Sequence, residues 1–495
     1  MCMMSREISL FKFLEKQGHA LDGGCRGSGH CGRCKVKYLT KAPEPAAAEQ
    51  RFLTEQELLS GYRLACMHPA DPEAEVAVHY VKAPGIDIVT AAPQVDVRRP
   101  EQGADPAAKI PDKSAEPKDT STAWYIAIDL GTTTIAMQAR TDSGRVLGEW
   151  KSMNPQRRFG NDVVSRMSAA LEGHARELKS CVEKVLAAGI DQLVQKAERG
   201  EPKGIYLAGN TVMEHLLAGL SVEGLSQYPF RPVTLEEQEI SVKGLEKSRK
   251  VTLLPGLSAF VGADLFAGVL ACGMHRSEKV SLLVDLGTNG EMVLGNREKL
   301  MCTATAAGPA FEGGANGRMA GSDVIAMIAK MLEEGILDET GLLEEPWFDT
   351  GVAWNADRSG FAEPGNNAYL TQEDIRAIQM AKAAVYAGIR ILIREYGIAP
   401  TEIEHVWLAG GFGYYLDVKS AAKIGLFPEE LADRVVSVGN SSLSGSYLYS
   451  REERAASERI RSVCTPINLA EQEGFEDIYL WNMYLCPDTG KNFEE

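Results

Sequence analysis

Trp124-Tyr125-Ile126-Ala127-Ile128-Asp129-Leu130-Gly131-Thr132-Thr133-Thr134 is an apolar run that ends on an aspartate and a glycine–threonine turn. Such a run predicts a strand buried on both faces. The same unit returns at Ser281-Leu282-Leu283-Val284-Asp285-Leu286-Gly287-Thr288-Asn289-Gly290-Glu291. A strand, an Asp-Leu-Gly-Thr turn and a following strand, occurring twice, predict two similar α/β halves. Helical periodicity falls between and after them, over Val163–Leu171, Glu177–Lys196, Thr211–Leu217, Ala259–Ala271 and Glu373–Tyr396. In the last of these, Ile375, Ile378, Val385, Ile389 and Leu392 share one face. Ala381, Ala384 and Gly388 permit close helix contact there.

Turns of Gly, Thr and Asn offer backbone N–H and hydroxyl donors to phosphate oxygens. An aspartate at each strand end can hold Mg²⁺, mostly through waters, because magnesium keeps much of its hydration shell. The paired turns resemble the two phosphate loops of the ATPase superfamily of actin, sugar kinases and heat-shock chaperones (ASKHA, RNase H-like). Leu408-Ala409-Gly410-Gly411-Phe412-Gly413, after a strand at His405–Trp407, resembles its adenosine loop. Ile205–Asn210 resembles the first connecting segment and the helix at 373–396 the second. The resemblance implies ATP contacts at Gly131, Thr132, Thr133, Thr134, Gly287, Thr288, Asn289, Gly290, Asn210, Gly410, Gly411, Phe412 and Gly413. It makes Asp129 and Asp285 the catalytic aspartates. Glu291 is either an orienting group for metal or water, or a surface carboxylate. No G-x4-G-K-[ST] is present, which argues against a P-loop. The alternative is an RNase H-like relic that binds no nucleotide.

A second motif lies near the N-terminus. Cys25, Cys31, Cys34 and Cys66 follow the spacing C-x5-C-x2-C, then a lone cysteine. Four thiolates are the ligand set of a [2Fe–2S] cluster, and the spacing resembles plant- and adrenodoxin-type ferredoxins. Gly27, Gly29 and Gly32 let the loop bring its N–H groups to the sulfurs. Structural zinc sites pair short C-x2-C hooks, so zinc is the alternative, and free thiols a third. Around the motif, residues 5–17 read as a helix, Val36–Leu39 and Glu75–Val81 as strands, and Thr54–Glu57 as a capping box before a short helix ending near Gly61. Ferredoxins of this kind have a β-hairpin before the first helix. The 24 residues preceding Cys25 are too few for both, so that hairpin is expected to be missing.

Net charge is −16, which argues against nucleic acid and anionic membranes as partners. The chain has no apolar run long enough to span a bilayer and no signal peptide, so a cytoplasmic location is expected. Of ten cysteines, six are scattered without ligand spacing, as a reducing compartment allows. Residues 83–122 hold Pro84, Pro93, Pro100, Pro106, Pro111 and Pro117 and keep no helical or strand period, which reads as a linker. The expected organisation is a small α+β, β-grasp ferredoxin domain (1–82), a linker (83–122) and an α/β ATPase of two subdomains (123–278 and 279–495).

This combination resembles the reductive activators of corrinoid proteins, and the resemblance covers nearly the whole chain. Asn154-Pro155-Gln156, Phe159–Val163, Leu254–Asp264 and Ala307–Gly314 fit the same family; from the residues alone they are glycine-rich loops beside a cleft, or merely turns. The family's extra domain between linker and ATPase is absent. The resemblance implies ATP-dependent one-electron reduction of Co(II) to Co(I) in a corrinoid protein, with a [2Fe–2S] cluster, ATP and Mg²⁺ as cofactors and an external low-potential donor. It leaves a homodimer open. Three other readings compete. They are an activator of 2-hydroxyacyl-CoA dehydratases, a sugar or acid kinase with a redox sensor, and a non-enzymatic ATP-gated redox adaptor. The dehydratase activators carry a [4Fe–4S] cluster on cysteines inside the ATPase fold, where this chain has no ligand-spaced set.

Overall fold

The computed structural model describes residues 8–16, 29, 32, 34–71, 74–78, 90, 123–244, 247–287, 289–307, 311, 319–355, 360–363, 369–451 and 454–487. Cys25, Cys31, Thr288 and, apart from Thr90, the proline-rich stretch 83–122 lie outside them.

In the N-terminal domain β1 (Lys35–Tyr38) is central. It pairs antiparallel with β2 (Tyr62–Leu64) and β3 (Val76–Val78). The helix Leu10–Lys16 packs Leu10, Phe11 and Leu14 against Val36, Tyr38, Leu53 and Leu64. It begins later than the periodicity predicts, because Ser9 forms a β-bridge with Pro69. The capping box forms as expected: Thr54 accepts from Glu57 N, and Glu57 accepts from Thr54 N at 2.9 Å. Glu49 is fully buried yet satisfied by Leu64 N, Ala46 N and His68 Nε2. Burial pushes its pKa up, but those bonds outweigh burial and hold it below the usual carboxylate value. Glu49 thereby ties the turn at 47–51 to the strand end that leads to Cys66.

The rest of the described chain forms two halves. The first holds β4 (Trp124–Leu130), β5 (Thr134–Thr141), β6 (Val146–Met153), β7 (Gly204–Gly209), β8 (Gln238–Lys243) and β9 (Ser248–Leu253), in the order β6-β5-β4-β7-β9-β8. The second holds β10 (Val280–Leu286), β11 (Gly290–Gly295) and β12 (Leu300–Thr305), then a separate small sheet of β13 (Val352–Trp354), β14 (Phe361–Ala362) and β15 (Tyr369–Leu370). It continues with β16 (Ile403–Ala409), β17 (Val435–Gly439) and β18 (Cys464–Pro466), and its main sheet runs β17-β16-β10-β11-β12-β18. Each main sheet carries three successive antiparallel strands followed by two parallel ones. The repeat seen in sequence is therefore a repeat of topology. Ile126, Ile128 and Leu130 in β4 are fully buried, each contributing about 1.5–3 kcal/mol. A charge at Ile128 would be the single change most damaging to that strand.

Two short helices, Ala263–Ala271 and Ser441–Tyr449, pack against each other at the junction of the halves. A Cβ on Gly445 would lie 1.9 Å from the Ala267 carbonyl oxygen, so only glycine fits this crossing. These helices join the halves, contrary to the connecting segments expected from sequence. Residues 204–209 are the sheet strand β7, and the helix Gln372–Tyr396 packs against β11 and β12 of its own half. Resemblance and chain order made that helix the expected connector, and its small residues Ala381, Ala384 and Gly388 suited the part.

Candidate nucleotide cleft and cluster site

Each half delivers one aspartate to the cleft. Asp129 lies near the end of β4 and Asp285 near the end of β10. Asp129 is held from the opposite half, by Asn440 Nδ2 at 2.8 Å and Ser442 Oγ at 2.9 Å. Burial raises its pKa and these two bonds oppose the rise. Asp285 has a different setting. Its cross-strand partner is Glu291, and beside it Gly410 adopts φ +84°, where a Cβ would sit 2.6 Å from Asp285 Oδ1. Burial, then the charges of Asp264 and Asp129, push Asp285 up to about 7. Glu291 is also raised, by burial and then by Asp264 and Asp285, although Asn210 Nδ2 of the first half donates to its Oε1 at 2.8 Å.

Asp264 was not among the sequence candidates. It occupies the first turn of the apolar helix Ala263–Ala271, and burial followed by the charge of Asp129 pushes it to about 7. Glu214 stands near it, raised by burial and Asp264, with Oε1 buried and without a hydrogen-bond partner. The available signal was an acidic residue, after Gly262, opening an otherwise apolar helix. A Cβ on Gly262 would lie 2.5 Å from Gly209 O, so the helix start is pressed under the end of β7.

The loop Gly131–Thr134 is braced from behind. Asn154 Nδ2 donates to Gly131 O at 2.8 Å and Asn154 N to Thr133 O at 2.9 Å. Arg166, fully buried, donates to Thr132 O at 2.6 Å and Gly160 O at 3.0 Å. The stretches 154–156 and 159–163 are thus the mounting of the loop Gly131–Thr134. A Cβ on Gly131 would meet Thr134 O at 2.9 Å, so the turn is tight. In the second loop Gly287 N donates to Asn289 O at 3.0 Å, and Gly290 opens β11. Gly410, Gly411, Phe412 and Gly413 begin the short helix Gly410–Tyr415 after β16. Phe412 turns inward against Phe311, with ring centroids 4.9 Å apart. Its ring is therefore occupied by core packing.

Burial and neighbouring carboxylate charge hold Asp264, Asp285 and Glu291 towards their protonated forms, and a cation bound beside them would favour the ionised forms. Among the described residues no three His, Cys, Asp or Glu side chains converge to ligate one ion directly. The residues therefore fit a magnesium ion held largely through water.

In the N-terminal domain Cys34 immediately precedes β1, and Cys66 lies two residues beyond β2. The register pairs Lys35 with Leu64, and Ala65 N donates to Cys34 O at 2.9 Å. Two cysteines far apart in sequence thus meet at one end of one strand pair. Gly29 (φ +87°) lies against Met67, and Gly32 (φ +62°) lies where a Cβ would be 2.5 Å from the Phe52 ring. Both glycines hold a backbone conformation that suits a closely packed turn. These residues fit a [2Fe–2S] centre.

Family models match both parts of the chain. The family described as the 2Fe-2S iron-sulfur cluster binding domain matches residues 5–71. The RACo middle region matches 124–277, and the C-terminal domain of RACo, the ASKHA domain, matches 279–318 and 315–495. A corrinoid activation enzyme, RamQ, of Eubacterium limosum is 33% identical over 418 residues, covering 72% of this chain and 70% of that protein. The chain belongs to the RACo family of corrinoid-protein activators. Another relative is the Methanosarcina barkeri reductase of the Co(II) methylated amine-specific corrinoid protein. It is 24% identical over 234 residues, 39% of this chain and 43% of its own length. Among solved structures, a reductive activator for corrinoid, iron-sulfur protein matches with a TM-score of 0.63 and 25% identity, over 98% of this chain and 96% of that one. The ferredoxin-plus-ASKHA architecture of the family is the one found here.

Proposed function

We propose that this protein is an ATP-dependent iron–sulfur reductase that returns a corrinoid protein from Co(II) to Co(I). The observation that carries the reading is the pairing of a ferredoxin domain with an acidic, two-half nucleotide cleft in a member of the activator family. The proposed units are the cluster domain 1–82, the linker 83–122 and the ATPase subdomains 123–278 and 279–495. When bound, the cluster supplies single electrons and Mg-ATP the free energy of hydrolysis.

The chain's residues divide the work. Cys25, Cys31, Cys34 and Cys66 ligate the cluster. Gly131–Thr134 and Gly287–Gly290 cradle phosphates with backbone and hydroxyl donors. Asp129 and Asp285, one from each half, would hold a hydrated Mg²⁺. Glu291, aligned by Asn210, and Asp264 would orient the attacking water. Gly410, Gly411 and Gly413 admit the adenine edge. The electron comes from an external low-potential donor, and the protein works in the cytoplasm; no helix among the described residues is long and apolar enough to cross a membrane.

Co(I) is a strong reductant, so a ferredoxin must be helped. An activator that binds one cobalt state ~10⁴-fold more tightly shifts the equilibrium by ~5.5 kcal/mol, or roughly 240 mV for one electron. Hydrolysis then separates the complex. The test is an anaerobic absorption titration of a Co(II) corrinoid protein with a low-potential reductant. The Co(I) band should grow with Mg-ATP and barely without it. Equal Co(I) formation without nucleotide would overturn the reading.

A further inference from the structure

Arg166 lies in the middle of the helix Val163–Ala169 and is fully buried. Two arms of its guanidinium serve backbone: Nη2 donates to Thr132 O at 2.6 Å and Nε to Gly160 O at 3.0 Å. The third, Nη1, lies 3.0 Å from Met213 Sδ, with Gln156 Oε1 farther away at 3.5 Å. Met213 is fully buried in the first turn of the helix Thr211–Ala218. That helix is capped by Asn210, three residues before Met213 and so within one turn of it. Asn210 works in two directions. Its Oδ1 accepts from Val212 N at 3.0 Å, and its Nδ2 reaches Glu291 of the other half at 2.8 Å. One buried cation therefore touches both the loop Gly131–Thr134 and the helix whose cap holds Glu291.

A buried cation is costly unless its donors are satisfied, so these partners fix the guanidinium together and a shift of one is felt by the others. A planar fork can serve acceptors on three sides, which the compact ammonium of lysine cannot. The bond to Thr132 O is charge-assisted. It also polarises the Thr132–Thr133 peptide and makes the Thr133 N–H a stronger donor.

We propose that Arg166 is a positioning residue for nucleotide hydrolysis. It locks the loop Gly131–Thr134 to the helix Thr211–Ala218, so that the grip on phosphate and the orientation of Glu291 are set together. The inference rests on the reading of this cleft as an ATPase site. Freeing the loop weakens binding and raises KM. Freeing the helix loosens Asn210 from Glu291 and lowers kcat.

The test uses the full-length, cluster-loaded protein in steady-state Mg-ATP hydrolysis, with denaturant unfolding to verify that each variant is folded. Arg166→Lys keeps the charge and loses the fork. It should lower kcat about ten-fold and raise KM about three- to ten-fold. Met213→Leu keeps the volume and loses the sulfur, while leaving the Thr132 bond in place. It should lower kcat about two- to five-fold and leave KM unchanged. Combining either variant with Asn210→Ala should give less than the product of the single losses in kcat, because both act through Glu291. The Met213→Leu pair decides the matter if Arg166→Lys does not fold. Multiplicative losses in the double variants would overturn the link to Glu291. Wild-type kcat and KM in Arg166→Lys and Met213→Leu, with Asn210→Ala impaired, would overturn the inference and leave the ATPase reading standing. A wild-type protein that hydrolyses no Mg-ATP would overturn that reading and the inference with it.

Discussion

Asp129 and Asp285 hold equivalent places in the two halves, yet their surroundings are opposite. Asp129 faces Ala136 across the strand pair and is caged by Asn440 and Ser442. Asp285 faces Glu291 and lies close to Asp264. Like charges placed opposite each other on a sheet are unfavourable. One half has resolved its buried acid with donors, and the other has accumulated acids. Duplicated topology gives two scaffolds, and the side chains make one a fixed wall and the other an acid-rich floor.

The largest expected effect tests the floor. Asp285→Ala should lower kcat for Mg-ATP hydrolysis at least about 100-fold, in steady-state assays, with the cluster spectrum intact. Asp129→Ala should abolish hydrolysis as well, and should also destabilise the ATPase by about 1–3 kcal/mol in denaturant unfolding, because two buried donors lose their acceptor. Equal stability of the two variants would erase the distinction between the halves.

Gly410→Ala comes next. Its Cβ would meet Asp285 Oδ1 at 2.6 Å and φ is +84°. It should raise KM for ATP and lower kcat, each by about ten-fold or more. Asn210→Ala, which frees Glu291, should cost less, about ten-fold in kcat, with KM little changed. The reverse order would place the critical geometry on the wall.

The smallest effect is in pH. Asp264 and Asp285 keep their protons up to about pH 7 in the folded protein, whereas unfolded aspartate titrates near ~3.9. Below about pH 4 both states are protonated and nothing is lost. As pH rises from about 4 to 7 the unfolded chain binds fewer protons, so nucleotide-free protein should lose stability across that window. Mg-ATP favours the ionised carboxylates, so its binding should release about one proton at pH 6–6.5 and almost none above pH 8. Calorimetry in buffers of different ionisation enthalpy reads this directly. No buffer dependence at pH 6.5 would mean that the floor is already ionised.

What the sequence made legible follows from where the signal is local. β4 falls at Trp124–Leu130 as read, and β10 within one residue, because a strand buried on both faces is an apolar run. The helix at 373–396 was legible from its period, but its partner was not, and its role as connector was misassigned. The crossing of Ala267 and Gly445 depends on small residues in two segments far apart in sequence, and no single window shows that. Asp264 escaped for a similar reason. One acid on an apolar helix is unremarkable until the fold sets it beside Asp285 and Glu214. Arg166 is the clearest case: it lies in a helix legible from sequence, but its burial against the carbonyls of the loop Gly131–Thr134 shows only in the fold.

The strand register that brings Cys34 beside Cys66 has a consequence for how the domain is made. The cysteines around residue 30 emerge from the ribosome well before their last companion, and the partner strand β2 must form before the fourth thiolate arrives. Iron and sulfide delivered early would meet an incomplete ligand set, so insertion should follow folding of this small domain. Afterwards the inorganic core would hold Cys34 and Cys66 together at one end of the strand pair, and its loss through oxidation would loosen that end.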